Sequence, residues 1–299
     1  MDRGGEMSSA PRTLIQPSTG GAPPRRDRTR WGVHLSLIAV CLLLAVPALY
    51  ALQLATLTLE QSFASPPQLF PPGEDLFANI AELFTRENFG QLMINTTLVA
   101  LVVTIGKTIL ALLAGLAFVY FRFPGKTILF FAVLFTLLLP TEIILLPLFR
   151  MMGELGWGRE YPRLALTLPF LATAAGMFLF RQHFNNIPRE LAEAAQIDGA
   201  TPLRFLLAVL IPMSWNVIGA HALVQFISAW NQYLWPLLVV TDPAQQMIQV
   251  GVRGTVRAGL QTDFGLLMAA GIIASLPPLI LFVALHKQFM QGFALTVDK

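Results

Sequence analysis

The chain has 299 residues, 55% of them hydrophobic and only 12% charged, with a formal net charge of +3. A water-soluble domain carries about twice that share of charged residues, so much of this chain faces something other than water. The basic residues stand singly between apolar runs, which excludes the basic stripe of a nucleic-acid-binding protein; the one cysteine, Cys41, excludes an intrachain disulfide, and His34, His183, His221 and His286 have no metal-ligand spacing.

Residues 1–30 are rich in Gly, Pro, Ser and Arg and too poor in apolar residues to fold alone, so they are expected to form a disordered basic tail. An apolar run from Val33 to about Ala55 follows. It is too long for the core of a signal peptide and no small-x-small cleavage site closes it, so it predicts an uncleaved first span. At about 20 apolar residues per crossing, five more follow near Thr96–Tyr120, Thr127–Leu148, Leu164–Phe180, Val217–Val240 and Gly265–Leu285. The expected fold is an all-α membrane protein with six transmembrane helices over residues 31–299. Pro140, Pro169 and Pro277-Pro278 fall inside these runs, where neighbouring helices can satisfy the backbone groups that proline frees.

With six spans both termini share a side. Thirteen basic residues fall on that side and six (Arg86, Arg150, Arg159, Arg163, Arg253, Arg257) on the other, with Lys107 inside a span. The positive-inside rule then puts both termini in the cytoplasm. On the outer side, residues 57–92 carry Pro66-Pro67 and Pro71-Pro72. They then place Leu76, Phe77, Ile80, Leu83 and Phe84 at helical spacing, an amphipathic helix that either packs on the bundle or docks a partner. Residues 241–263 form a polar connection with no legible role.

Between spans four and five, residues 185–212 read as two short helices at a sharp bend. Pro188 suits a first turn with Asn186 as cap, Ala192–Ala195 is strongly helix-forming, and Gly199 suits the left-handed residue that ends a helix. Thr201-Pro202 starts the second helix. In span five, His221, Gln225, Ser228 and Gln232 follow i, i+4, i+7, i+11 and so lie within about 60° of one another, with Asn231 at the border. Such a stripe either lines a water-filled path or joins helices by hydrogen bonds. Lys107 and Glu142 sit near the middle of spans two and three, where an unpaired charge costs roughly 2.5–3.5 kcal/mol; a Lys107–Glu142 pair is the economical expectation, with a solute-facing Lys107 as the alternative. Gly106-Lys107-Thr108 and Gly125-Lys126-Thr127 mimic the end of a phosphate-binding loop, but Leu101 and Tyr120 occupy the positions that require glycine. Asn95-Thr96-Thr97 matches a glycosylation acceptor by chance.

Glu193-Ala194-Ala195, Asp198-Gly199-Ala200 and Leu210-Ile211-Pro212 resemble the EAA loop of permease subunits in bacterial ABC importers. The resemblance covers most of residues 31–293 and takes in Phe121–Pro124, Phe178–Gln182 and Asn231–Leu238. It points to the carbohydrate-uptake subgroup, and within it to the second permeases of sn-glycerol-3-phosphate importers. The ending Ala294–Lys299 departs from the glycine- and alanine-rich ending common there. The resemblance implies the type I importer permease fold in the bacterial inner membrane. It implies a coupling loop (Glu193, Ala194, Ala195, Asp198, Gly199, Pro212) seated in a cytoplasmic ATPase, with Glu193 meeting a basic residue and Gly199 holding the bend. The implied partners are a homologous second permease, two ATPase subunits that bind the ATP and magnesium, and an extracytoplasmic solute-binding protein. This chain then has no cofactor and no bond-making residue of its own. Its path candidates are His221, Gln225, Ser228, Asn231, Gln232, Lys107 and Glu142. The expected solute is a phosphorylated polyol, with a neutral oligosaccharide as alternative. A secondary transporter would need its own coupling acids, for which only Glu142 stands out and no inverted repeat is apparent. An intramembrane enzyme would need a nucleophile–base pair that is not visible.

Overall fold

A computed structural model describes residues 28–63, 72–85, 88–255, 257–258 and 261–294. The expected tail lies outside them except for its last three residues, as do Pro66, Pro67, Pro71 and the final five residues. Contacts divide the chain after Pro47. The first unit is described from Arg28, where α1 (Arg28–Ala55) begins, and that helix is apolar nearly all round. It starts ahead of the expected Val33 because the arginines before the apolar run are themselves good helix formers.

The second unit continues with α2 (Leu59–Ser62), α3 (Leu76–Thr85), α4 (Phe89–Tyr120), α5 (Lys126–Phe135), α6 (Thr141–Glu154), α7 (Trp157–Glu160), α8 (Pro162–Thr167) and α9 (Ala174–Asn185). Then come α10 (Arg189–Ile197), α11 (Pro202–Phe205), a π turn at Leu206–Leu210, α12 (Ile211–Met213), α13 (Trp215–Trp230), α14 (Leu234–Val239) and α15 (Ile248–Thr255). A two-residue ribbon pairs β1 (Arg257–Ala258) with β2 (Gln261–Thr262) antiparallel, and α16 (Phe264–Ala294) ends the described chain. Within this unit α13 packs against α16 and α4, and α4 against α9. The α4–α9–α13 junction is close because Gly176 has no side chain. A Cβ there would stand 2.8 Å from Ala111 Cβ and 2.9 Å from His221 Cε1, which is how small residues let membrane helices approach.

Among the described residues, Trp31–Ala55, Phe89–Tyr120 and Phe264–Gly292 are each long and apolar enough to cross a membrane. Three bent pairs, Lys126–Leu138 with Ile143–Glu154, Pro162–Phe170 with Ala174–Asn185, and Pro202–Met213 with Trp215–Trp230, bring the number to six if each counts as one span. The expected third, fourth and fifth spans are therefore not straight rods. Pro140 precedes α6, Pro169 ends α8 in a 3-10 turn, and the fifth run breaks at Asn231–Tyr233. Each proline lacks the N–H that would bond four residues back, and its ring crowds that carbonyl; in the fifth run Pro236 does this to Gln232.

At Pro277-Pro278, by contrast, α16 runs through unbroken. Pro278 leaves the Ala274 carbonyl without its helical donor, and the indole Nε1 of Trp230 donates to that oxygen at 3.1 Å. The same device appears at Pro169. The carbonyl it leaves free belongs to Ala165, and Trp235 Nε1 donates to it at 3.0 Å. Both indoles are almost wholly buried, with Trp230 stacked on Phe226 and Trp235 edge-on to Phe170. Two tryptophans five residues apart thus satisfy proline-orphaned carbonyls on two other segments.

The buried apolar residues gather at the two ends of α4. One cluster, with Leu83, Phe89, Leu92, Trp230, Met247, Ile248 and Leu266, surrounds its first half; another, with Leu116, Phe180, Phe184, Phe205 and Leu210, surrounds its last turns. α3 belongs to the first. Its Asn79 Nδ2 donates to Ala55 O (2.9 Å) and Leu57 O (3.0 Å), and Leu76, Ile80 and Leu83 face the core while Phe77 is 80% exposed. The amphipathic helix expected over 57–92 thus packs one face on the bundle.

Candidate functional site

The hairpin at residues 185–212 is built from local signals. α10 ends in paired bonds, Ala200 N to Ala195 O (2.8 Å) and Gly199 N to Gln196 O (3.0 Å), around a Gly199 with φ of +71°. Only glycine takes that conformation without strain. Thr201 Oγ1 accepts from Arg204 N at 3.3 Å and Pro202 opens α11, as the sequence predicts. The start of α10 differs from expectation. Pro188 itself is the cap position, and Asn186 closes the preceding α9, because the Asn186 N–H already bonds back to His183 O (3.0 Å).

Glu193, Ala194, Asp198 and Gly199 are exposed, while Ala192 is buried and Ala195 packs behind it against the second cluster. Three apolar side chains also point outward from this hairpin: Ile197 is 86% exposed, Leu207 59% and Leu203 55%. The sequence reading passes over them, although Ile197 breaks the apolar face of α10 and was the signal available. Beneath the hairpin, Leu116, Tyr120, Ala192, Ala195, Gln196 and Phe205 help to line a cavity of about 210 Å³. Tyr120 packs edge-on to Phe205 (5.2 Å between centroids), and its hydroxyl is buried without a partner among the described residues. After Pro212 the chain turns by 85° at Ser214 into α13. An elbow thus links the hairpin to the fifth span.

The polar stripe separates into distinct environments. Gln225 Oε1 accepts from Lys107 Nζ at 2.9 Å, which joins α13 to α4. His221 is buried edge-on to Phe180 (5.4 Å), and its Nε2 has no partner among the described residues. Ser228 is exposed. Asn231 and Gln232 lie beyond the helix end, not on the helical stripe; Asn231 Oδ1 accepts from Gln249 Nε2 at 3.4 Å, and Gln232 Oε1 is buried and unpartnered among the described residues. Glu142 lies in the first turn of α6 with its side chain outside the described residues, so the expected Lys107–Glu142 pair falls outside them too.

In the connection expected on the outer side, the described residues 241–255 form a folded plug. Asn95 Nδ2 donates to Ala244 O (2.9 Å) and Gln246 O (3.3 Å), Ile248 N donates to Thr96 Oγ1 (2.8 Å), and buried Gln246 donates to Pro236 O and Val240 O (both 3.1 Å). Asn95, only 2% exposed, is thereby held inside, so the acceptor-like Asn95-Thr96-Thr97 is structural. This plug and the 185–212 hairpin sit at opposite ends of α4.

Residues 107–294 match the family described as binding-protein-dependent transport system inner membrane component. The chain belongs to this family. It is similar over nearly its whole length to permeases named sn-glycerol-3-phosphate transport system permease protein UgpE. The one from Pectobacterium atrosepticum is 35% identical over 266 residues, 87% of this chain and 94% of the relative. That of Brucella melitensis is 36% identical over 271 residues, 88% and 95%. Among solved structures, a bacterial ABC transporter involved in the import of the acidic polysaccharide alginate matches with a TM-score of 0.76 at 21% identity, covering 90% of this chain and 100% of that one. The fold is therefore that of an ABC importer permease, and this inner-membrane permease is a transport subunit whose ATP hydrolysis belongs to a separate protein.

Proposed function

We propose that this permease forms half of a heteromeric pore that imports a small phosphorylated polyol, sn-glycerol-3-phosphate being the best single candidate. It works with a second homologous permease, two ATPase subunits that hold the ATP and magnesium, and an extracytoplasmic solute-binding protein. Both termini and the 185–212 hairpin lie in the cytoplasm, as the basic asymmetry favours. The observation that carries the reading is the hairpin, with Glu193 and Asp198 exposed beside outward-facing Ile197 and Leu203. A mixed acidic and apolar knob of this kind suits a cleft with a basic rim. The cavity behind the hairpin leaves space for Ala192 and Ala195 to shift, and the Ser214 elbow passes that shift to α13. Closure of the ATPase pair on ATP then opens the path outward, and hydrolysis resets it.

The solute reading rests on whole-length likeness to the glycerol-3-phosphate permeases. The test is reconstitution of the whole complex with its own binding protein, offering labelled sn-glycerol-3-phosphate against maltose or trehalose. Uptake of the ester supports the assignment. Uptake of the disaccharide alone retires it and leaves the importer subunit standing.

A further inference from the structure

The charge of Lys107 is held by a neutral group. Gln225 is the one hydrogen-bond partner of its ammonium among the described residues. Lys107 stands about 20 Å along the α4 axis from the Tyr120 end and about 27 Å from the Phe89 end, which places it at membrane depth. A cation there is costly to maintain. If the contact served only to join α4 to α13, two uncharged side chains would do so at less cost. A carboxylate in place of Gln225 would cancel the charge, whereas a carboxamide orients the ammonium and leaves the charge in place.

The neighbouring polar atoms have the same character. One helical turn before Lys107, Thr104 Oγ1 is buried without a partner among the described residues; one turn before Gln225, so is His221 Nε2. Thr108, by contrast, already donates to Thr104 O at 2.8 Å. A cation, two buried polar atoms and a half-buried carboxamide therefore share adjacent turns of two helices that form the core of the unit, with exposed Ser228 one turn further along α13.

We infer that Lys107, oriented by Gln225, is the anion-selecting station of the translocation path and receives the phosphate of a passing monoester. The inference rests on the phosphorylated-polyol reading above. As the phosphate arrives, its oxygens replace Gln225 Oε1 as acceptor for the ammonium, and the freed carboxamide donates to the same phosphate. Lys107 thus sets specificity and Gln225 positions it.

Gln225→Glu and Gln225→Leu separate this role from simple helix joining. The first keeps the side-chain length and strengthens the bridge while cancelling the charge; the second breaks the bridge and keeps the charge. Each is assembled with the partner permease, ATPase and binding protein in liposomes and assayed for labelled sn-glycerol-3-phosphate uptake and binding-protein-stimulated ATP hydrolysis. Gln225→Glu should lose about tenfold or more in ester uptake while stimulated hydrolysis stays within about twofold of wild type. Gln225→Leu should retain more uptake than Gln225→Glu. A joining role predicts the reverse order, so Gln225→Glu at wild-type uptake, or Gln225→Leu with less uptake than Gln225→Glu, overturns the station. Wild type that imports a disaccharide and not the ester retires the solute reading and the station together. Wild-type ester import with Gln225→Glu at parity retires the station alone.

Discussion

The two ends of α4 are built on different principles. At the Tyr120 end the 185–212 hairpin is specified by neighbours in sequence: a left-handed Gly199, a Thr201 cap, and a proline opening each short helix or standing at its cap. At the Phe89 end the outer plug is tied by side chains reaching 149 to 152 residues away, from Asn95 and Thr96 to residues 244–248. Trp230 and Trp235 add further long ties to α16 and α8. A hairpin that holds its own shape can move as one piece and seat in another protein. A plug whose shape depends on distant partners is fixed to the bundle and resists movement. The hairpin end is thus suited to carry motion and the plug end to hold the spans against which it works.

The contrast can be tested first by topology, where the effect is all or none. In a Cys41→Ser background, single cysteines at Gln196 and Gln261 should differ completely toward an impermeant thiol reagent in intact cells. Only position 261 should be labelled; labelling at 196 in sealed cells would invert the assignment of the two ends. Next in size is Gly199→Pro. Proline fixes φ near −65° where the hairpin needs +71° and deletes the bond to Gln196 O. The protein should still insert, but uptake and stimulated ATP hydrolysis should fall together to near background. Glu193→Ala should lower both less severely, and normal stimulated hydrolysis in both variants would remove the hairpin from the coupling role.

At the other end, Trp235→Phe and Trp230→Phe keep an aromatic ring and remove only the indole donor. Each leaves a buried carbonyl unpaired beside a proline and should cost about 1–3 kcal/mol, read as a lower melting temperature of the purified complex. Unchanged melting in both would mean that water replaces the indoles. The smallest effect is expected at Thr201→Ala. Losing the cap should cost about 1 kcal/mol, visible as faster amide exchange confined to the hairpin. Faster exchange at residues 244–248 in that variant would contradict the independence of the two ends.

Low charge and apolar runs of spanning length established the membrane class, because the bilayer imposes its length on any helix that crosses it. The sequence also placed the hairpin, including Gly199 and Thr201, since turn and cap preferences act within a few residues. It did not place the end of the fifth span. Apolar content continues to Val240, and whether the helix survives there depends on Pro236 and on Trp235 reaching Ala165. Nor did it reveal why Pro277-Pro278 leave α16 whole, since the donor that replaces the lost bond, Trp230, comes from another span. The polar stripe was legible as a face of one helix, but its division was not. Lys107 meets Gln225, His221 is packed beside Phe180, and Gln232 leaves the helix altogether. Local geometry is written in neighbouring residues. Which buried polar atom meets which is decided only when distant segments pack, because each must find its partner among the groups that the fold brings within 3 Å or so.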